Sequence, residues 1–190
     1  MIEILDIPSI RERVAPISIE DYHAMIDAGR FDDRSVELLE GVIVDKMSKT
    51  ELHLFLVVLL EDLLKKACDG LDLWVRKEDP IETQDSEPEA DLSVVEGSFR
   101  DYRNTKPTTA RFVIEVAVTS LARDRAKAPI YASAGIPEYW IVRPEDEVIE
   151  VYRNPRAGIY ADSFEVSSNE TIDSVAIPSF SLCLAKEISN

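Results

Sequence analysis

Two acidic residues and one lysine, Asp91, Glu115 and Lys127, have the chemistry and spacing of a divalent-metal site. Asp91 opens one predicted strand, and Glu115 lies in the middle of another, the almost wholly apolar run 112–118. A carboxylate on a buried strand costs free energy unless another group pairs with it. If the two strands pair, both carboxylates converge on one face, where their repulsion favours a bound divalent cation.

Oxygen donors of this kind suit a hard cation such as Mg²⁺, which binds one or two carboxylates, a backbone carbonyl and retained waters. The backbone carbonyl of Val116 would be a ligand if the strand edge is open there. Lys127 follows on the next predicted helix, three residues after Asp124 and on the same face. Its ammonium group would position the water nucleophile and offset charge in a phosphoryl transition state.

Each of these residues also has a structural explanation. Asp91 would be a turn or cap residue, and Lys127 a solvated helix residue whose ion pair on the helix surface contributes little. Glu115 would need a buried partner, for which Arg111 and Arg123 are candidates. Spacing alone therefore leaves both a metal site and a structural ion pair open, because perturbed carboxylates serve either purpose.

Glu37 and His53 are weaker candidates. Glu37 starts a predicted hairpin and would point either into the same cleft or into water. His53 begins a long predicted helix beside its apolar stripe, and a single histidine is more often structural than a ligand. Spacing assigns neither residue a role.

The elements that must position these residues follow from hydrophobic periodicity and turn signals. Helices are predicted over 19–28, 51–67 and 121–134, with Pro129 expected to kink the third or shift its start. A hairpin over 36–48 turns at Glu40 and Gly41, and further strands are predicted over 72–82, 91–97, 112–118, 135–142, 147–153 and 158–166. The apolar tail 175–188 is expected to pack onto the core.

This order of helices and strands predicts an α/β (α+β) fold with a mixed β-sheet flanked by helices. The prediction is a single domain over 1–190 with an N-terminal arm over 1–17.

The composition is that of a soluble globular protein, with 45% hydrophobic and 31% charged residues among 190. The apolar stretch 52–64 is too short and too charged to span a membrane, and the N-terminus lacks a signal-peptide pattern. Two cysteines do not make a disulfide framework, which predicts a cytoplasmic location. A phosphate-binding glycine loop, a zinc-type cysteine spacing and a G-x-S-x-G motif are all missing from the sequence.

Three stretches resemble the Uma-type family of predicted restriction endonucleases, a branch of the PD-(D/E)xK nuclease superfamily. They are VELLEGVIVDKMS, EPEADLSVVEG and FVIEVAVTSLARDRAKAPIYASAGIPEYWIV, and the resemblance runs from about residue 17 to residue 160. It implies a restriction-endonuclease-like core. It also implies that Asp91 and Glu115 hold Mg²⁺ or a related ion such as Mn²⁺, and that Glu37 faces the same site.

The resemblance also changes where the catalytic lysine is expected. The superfamily motif places it two residues after the glutamate, where this chain has Ala117. The family resemblance moves that role to Lys127 on the next helix. Ala90 stands where the motif has proline, but proline there shapes the backbone and supplies no ligand, so the expected metal site is unaffected.

The sequence and the resemblance together predict a metal-dependent DNA endonuclease. A net charge of −16 opposes broad, salt-driven binding to nucleic acid. It therefore favours an alternative, a catalytically silent nuclease-fold module for binding or assembly. A homo-oligomer, expected to be a dimer, would make the negative charge compatible with DNA binding if it formed a positive cleft.

A third possible function is that of a small-molecule phosphate hydrolase. The basic residues that cluster around one loop would contact phosphates or be solvated: Arg100, Arg103, Lys106 and Arg111.

Overall fold

The computed structural model describes residues 14–189, so most of the predicted N-terminal arm lies outside the described residues. The helices are α1 (Ile19–Asp27), α2 (Glu51–Ala67), α3 (Leu121–Ser133) and α4 (Leu184–Ser189). The first strands are β1 (Val36–Leu39), β2 (Val42–Asp45), β3 (Leu73–Pro80), β4 (Glu89–Glu96) and β5 (Phe112–Val116). They are followed by β6 (Glu138–Arg143), β7 (Val148–Arg156), β8 (Ile159–Ser167), β9 (Ile172–Asp173) and β10 (Ser181–Leu182).

Six strands form the central sheet, in the order β3-β4-β5-β6-β7-β8. All neighbours pair antiparallel except β5 and β6, which run parallel and are joined through α3. The strand β5 is buried along its whole length, as its apolar and β-branched composition predicts. The predicted mixed sheet flanked by helices is therefore confirmed.

Helix α2 covers one face of the sheet. Its start is fixed by Thr50, whose hydroxyl accepts the backbone N–H of His53 at 3.2 Å. Leu56, Leu60 and Leu64 recur at helical spacing and are fully buried against β4, β5 and β6. The predicted packing of the tail is also confirmed, because side chains of β9, β10, α4 and their connections complete this core: Ile172, Ile177, Phe180, Leu182 and Leu184.

Helix α3 covers the opposite face. Ala128 and Tyr131 pack there against side chains of β5 and β6, including Val113 and Tyr139. The helix begins at Leu121, as predicted, and continues through Pro129. Because α2 and α3 hold the sheet from both sides, the carboxylates of β4 and β5 lie in a low-dielectric interior.

Two strand boundaries differ from the prediction and bear on the site. β4 begins at Glu89, two residues earlier than predicted, so Asp91 lies inside the strand instead of opening it. β5 ends at Val116, two residues earlier than predicted. Both shifts bring the strand-end backbone groups next to the carboxylates. Within residues 14–189, no helix is both long and apolar enough to cross a membrane.

Replacing Leu60 by alanine tests the packing of α2 on the sheet. Leu60 is fully buried, so Leu60→Ala should lower the free energy of unfolding by about 2–5 kcal/mol, measured by urea denaturation. The matched control is Val58→Ala on the same helix, whose side chain is 57% exposed. That change should alter stability by less than about 0.5 kcal/mol. Equal effects at the two positions would contradict the assigned packing face.

Candidate active site

The carboxylates of Asp91 and Glu115 lie side by side where β4 and β5 pair. The register pairs Leu92 with Ile114, and continuing it by one residue sets Asp91 opposite Glu115. The N–H of Asp91 donates to Glu115 Oε2 at 3.1 Å, and the N–H of Val116 donates to Asp91 Oδ2 at 2.8 Å. Backbone donors therefore fix the orientation of both acids.

Lys127 reaches from α3 into this pair of strands. Its Nζ lies 3.0 Å from Glu115 Oε1 and 3.0 Å from Glu37 Oε2, and it donates to the carbonyl of Glu89 at 3.0 Å. The lysine side chain is only 2% exposed. Tyr131, one helical turn further along, donates its hydroxyl to Glu115 Oε1 at 3.0 Å. Helix α3 thus supplies both an ammonium group and a hydroxyl group to Glu115 Oε1.

Two of the structural explanations considered from the sequence are wrong, and the third holds with a different partner. Lys127 and Asp124 are both buried, so they are not a solvated pair on the helix surface. Glu115 does have a buried partner, but it is Lys127. The two candidates named from the sequence pair elsewhere, Arg111 with Glu96 and Arg123 with Glu37. Asp91 is neither a turn nor a cap residue, since it lies within β4.

Glu37 enters the cleft from the hairpin of β1 and β2. Its Oε2 accepts the N–H of Glu89 at 3.1 Å as well as the ammonium of Lys127. Its Oε1 is buried and has no hydrogen-bond partner in the part of the chain that the structure describes. The nearest cation to that oxygen is Arg123, whose Nε is 3.6 Å away. The hairpin thus brings a third carboxylate to the same lysine.

His53 lies in the site although spacing gave it no role. Its Nδ1 is 3.0 Å from the carbonyl oxygen of Val116, and its Nε2 is 3.3 Å from Asp91 Oδ1. The imidazole therefore faces two of the expected metal ligands at once. In the sequence, only its offset from the apolar stripe of α2 hinted at this position.

The surroundings push the pKa values of the two strand acids apart. Burial raises the pKa of Glu115 well above its ordinary value, against the opposing charge of Lys127, and neighbouring carboxylates add to the rise. Burial also opposes ionisation of Asp91, but His53 and the N–H of Val116 outweigh it and lower the pKa of Asp91. Such a separation between adjacent carboxyl groups is typical of catalytic sites.

Acidic neighbours raise the pKa values of both basic side chains of the site, His53 and Lys127. The carboxylate of Asp91 raises the pKa of His53 above its ordinary value, against the effect of burial. Burial would lower the pKa of Lys127, yet Glu115 and Glu37 raise it above that of a free lysine. The ammonium therefore persists across the physiological pH range.

The donor set fits a hard divalent cation. Asp91 Oδ1 has an ion-pair contact with His53 but accepts no hydrogen bond within residues 14–189, and the carbonyl of Val116 contacts the other nitrogen of the same imidazole. The carboxylate of Glu115 lies opposite, and all of these donors except the histidine are oxygens, as Mg²⁺ prefers. The cavity lined by the two carboxylates holds about 40 Å³, enough for an ion and a few waters.

A second group of metal-binding side chains lies elsewhere. Within the described residues, His23, Glu82 and Glu87 are the one set of three such groups whose ligand atoms all lie within 4.8 Å of one another. The ammonium of Lys106 is 2.7 Å from Glu87 Oε1 and 3.0 Å from His23 Nε2. An ammonium group thus already offsets part of the negative charge of that cluster.

The sheet order, the flanking helices and the acidic cleft at paired central strands define a protein with the restriction-endonuclease-like fold. A crystal structure from Anabaena variabilis, described as that of "a putative nuclease belonging to DUF820", has a TM-score of 0.76 to this chain. The match covers 92% of this chain and 98% of the other at 15% sequence identity, so it shows a shared fold.

The model of the Uma2 family, described as "Putative restriction endonuclease", matches residues 19–185. The chain therefore belongs to the Uma2 family, and the resemblance predicted from its sequence is confirmed. The match extends beyond the predicted limit near residue 160 into the tail that completes the core. No curated protein matches the chain by sequence.

A double-mutant cycle tests the pairing between Lys127 and Glu115. In metal-free protein, Lys127→Met should lower the free energy of unfolding by about 3–5 kcal/mol, because it leaves buried carboxylates without their cation. Adding Glu115→Gln should restore part of that loss, with a coupling of at least about 1 kcal/mol measured by urea denaturation. Strictly additive effects would show that the two side chains do not interact.

Proposed function

We propose that this Uma2-family protein is a Mg²⁺- or Mn²⁺-dependent DNA endonuclease that hydrolyses phosphodiester bonds. The observation that carries the proposal is the contact between Lys127 and Glu115 beside Asp91, in one acidic cleft. Membership of a family described as nucleases supports the reaction class. The dependence on metal rests on the oxygen donors of the site, and the choice of DNA rests on the description of the family as restriction endonucleases.

Asp91, Glu115 and the carbonyl of Val116 would hold the ion. When bound, the ion polarises the scissile phosphate and lowers the pKa of a coordinated water. Lys127 orients the attacking water and offsets the negative charge that develops on the phosphate. Glu37 holds the ammonium of Lys127 in place through its Oε2, at 3.0 Å. His53 holds the Asp91 carboxylate and the Val116 carbonyl on one side of the cleft.

The acidic surface requires DNA to approach through a local basic feature. The basic loop predicted from the sequence does not line the cavity, and two of its members pair with acids: Lys106 with Glu87 and Arg111 with Glu96. A homodimer in the cytoplasm that joins basic residues of two copies in one cleft is therefore part of the proposal. Its presence is measurable by sedimentation equilibrium.

A catalytically silent nuclease-fold module is the second candidate. The net charge of −16 favours it, because a lone copy repels DNA at long range. Such a module would keep the metal site and the fold but bind a partner without cleaving nucleic acid. Metal binding and cleavage must therefore be measured separately.

Calorimetric titration with Mn²⁺ tests the metal site. Wild-type protein should bind the ion, and Glu115→Gln, which keeps the shape but removes the charge, should weaken binding at least about tenfold. Glu87→Gln is the control, because it disrupts the cluster around His23 and leaves the strand carboxylates intact. Loss of binding in Glu87→Gln with retention in Glu115→Gln would show that the ion binds at the cluster around His23 and not at the strand carboxylates.

Cleavage of plasmid and single-stranded DNA with Mn²⁺ tests catalysis. Lys127→Met should lower the rate at least about 100-fold, because the ammonium acts on the reacting phosphate. Arg125→Gln is the control on the same helix, since Arg125 pairs with Glu150 away from the cleft. Cleavage that survives Lys127→Met would show that Lys127 is not the catalytic lysine. Metal binding without any cleavage by wild-type protein would instead support the silent module.

A further inference from the structure

The rim of the cleft is basic although the chain as a whole is acidic. Lys46, Lys49 and Arg123 all line the cavity that holds Asp91 and Glu115. A cationic rim around an acidic floor is the arrangement that attracts a phosphate while keeping a metal below it. The three cations differ in how firmly the protein already holds them.

The two lysines of the rim are already paired. Lys46 forms an ion pair with Glu89, and Lys49 lies 2.8 Å from Glu78 Oε2. Their charges are therefore largely balanced by acids of β3 and β4. Neither lysine is free to bind a ligand without breaking an existing contact.

Arg123 differs from both lysines because it lacks hydrogen-bond acceptors. Its Nε and Nη1 are buried, and neither has a hydrogen-bond partner among residues 14–189. The nearest carboxylate oxygen, Glu37 Oε1, lies 3.6 Å from Nε, beyond hydrogen-bond distance. A buried donor without an acceptor costs free energy, and a guanidinium presents its donors in a planar fork that matches phosphate oxygens.

Arg123 lies one helical turn before Lys127 on α3. Arg123 and Lys127 are four residues apart and share one face of the helix. The Lys127 side chain is 2% exposed and that of Arg123 is 21% exposed, so the lysine lies at the floor and the arginine at the mouth. Both side chains line the cavity of about 40 Å³, so a phosphate bound there would lie beside the guanidinium.

We propose that Arg123 binds the phosphodiester group of the nucleic-acid substrate, with Nε and Nη1 donating to its non-bridging oxygens. This inference rests on the proposed function, because it names the residue through which that same site takes its substrate. Arg123 thus supplies a basic contact within the acidic cleft. A purely structural role, as counter-ion to Glu37, is the competing explanation.

Binding of a 12-nucleotide DNA in the presence of Ca²⁺, followed by fluorescence anisotropy, tests the proposal. Arg123→Gln should weaken binding about tenfold and lower the slope of log K against log salt by about one phosphate contact. Arg123→Lys should recover part of the affinity, since it keeps the charge but not the fork. Arg125→Gln, whose arginine pairs with Glu150, should bind like the wild type.

Titration with dimethyl phosphate separates this inference from the endonuclease proposal, because it requires no cleavage. The ¹H–¹⁵N signal of Arg123 Nε should shift and saturate in the wild type and in Arg125→Gln. A saturating shift without DNA cleavage would retain the phosphate site while the endonuclease proposal fails. An unshifted signal, or unchanged DNA affinity in Arg123→Gln with only a lower melting temperature, would overturn the proposal in favour of the counter-ion role.

Discussion

The cleft depends on the ion pair between the buried ammonium of Lys127 and the carboxylate of Glu115. Two carboxylates and a carbonyl converge on that ammonium, from β5, from the β1–β2 hairpin and from the start of β4. Removing the cation would leave acids in a low-dielectric interior, where their desolvation and repulsion are expensive. Contacts of this one lysine tie α3 to the sheet and to the hairpin. The geometry of the cleft and its local stability therefore both depend on this buried ammonium.

The sheet makes this arrangement rigid. β5 is buried on both faces between α2 and α3, and its register with β4 sets Asp91 opposite Glu115 through backbone hydrogen bonds. A site carried on paired central strands is held more precisely than one carried on loops. The helices then contribute from opposite faces, His53 from α2 and Lys127 from α3, so the scaffold fixes both the floor and the walls of the cleft.

Much of the sheet and the two acids could be predicted from the sequence, because periodicity reveals buried strands and makes Glu115 conspicuous among apolar neighbours. The burial of Lys127 could not be predicted, since nothing in the pattern of its helix distinguishes a buried lysine from a solvated one. The contacts that His53 and Arg123 make in the site could not be predicted for a related reason. Their partners Val116 and Glu37 are far away in sequence, and only the tertiary packing brings them together.

Anomalous diffraction from crystals soaked in Mn²⁺ locates the ion without relying on activity. If Asp91 and Glu115 bind the metal, a peak should lie within about 2.5 Å of carboxylate oxygens of both residues, and it should be lost in Glu115→Gln. A peak at His23, Glu82 and Glu87 instead, or none beside Asp91 at saturating Mn²⁺, would show that these two carboxylates do not hold the metal.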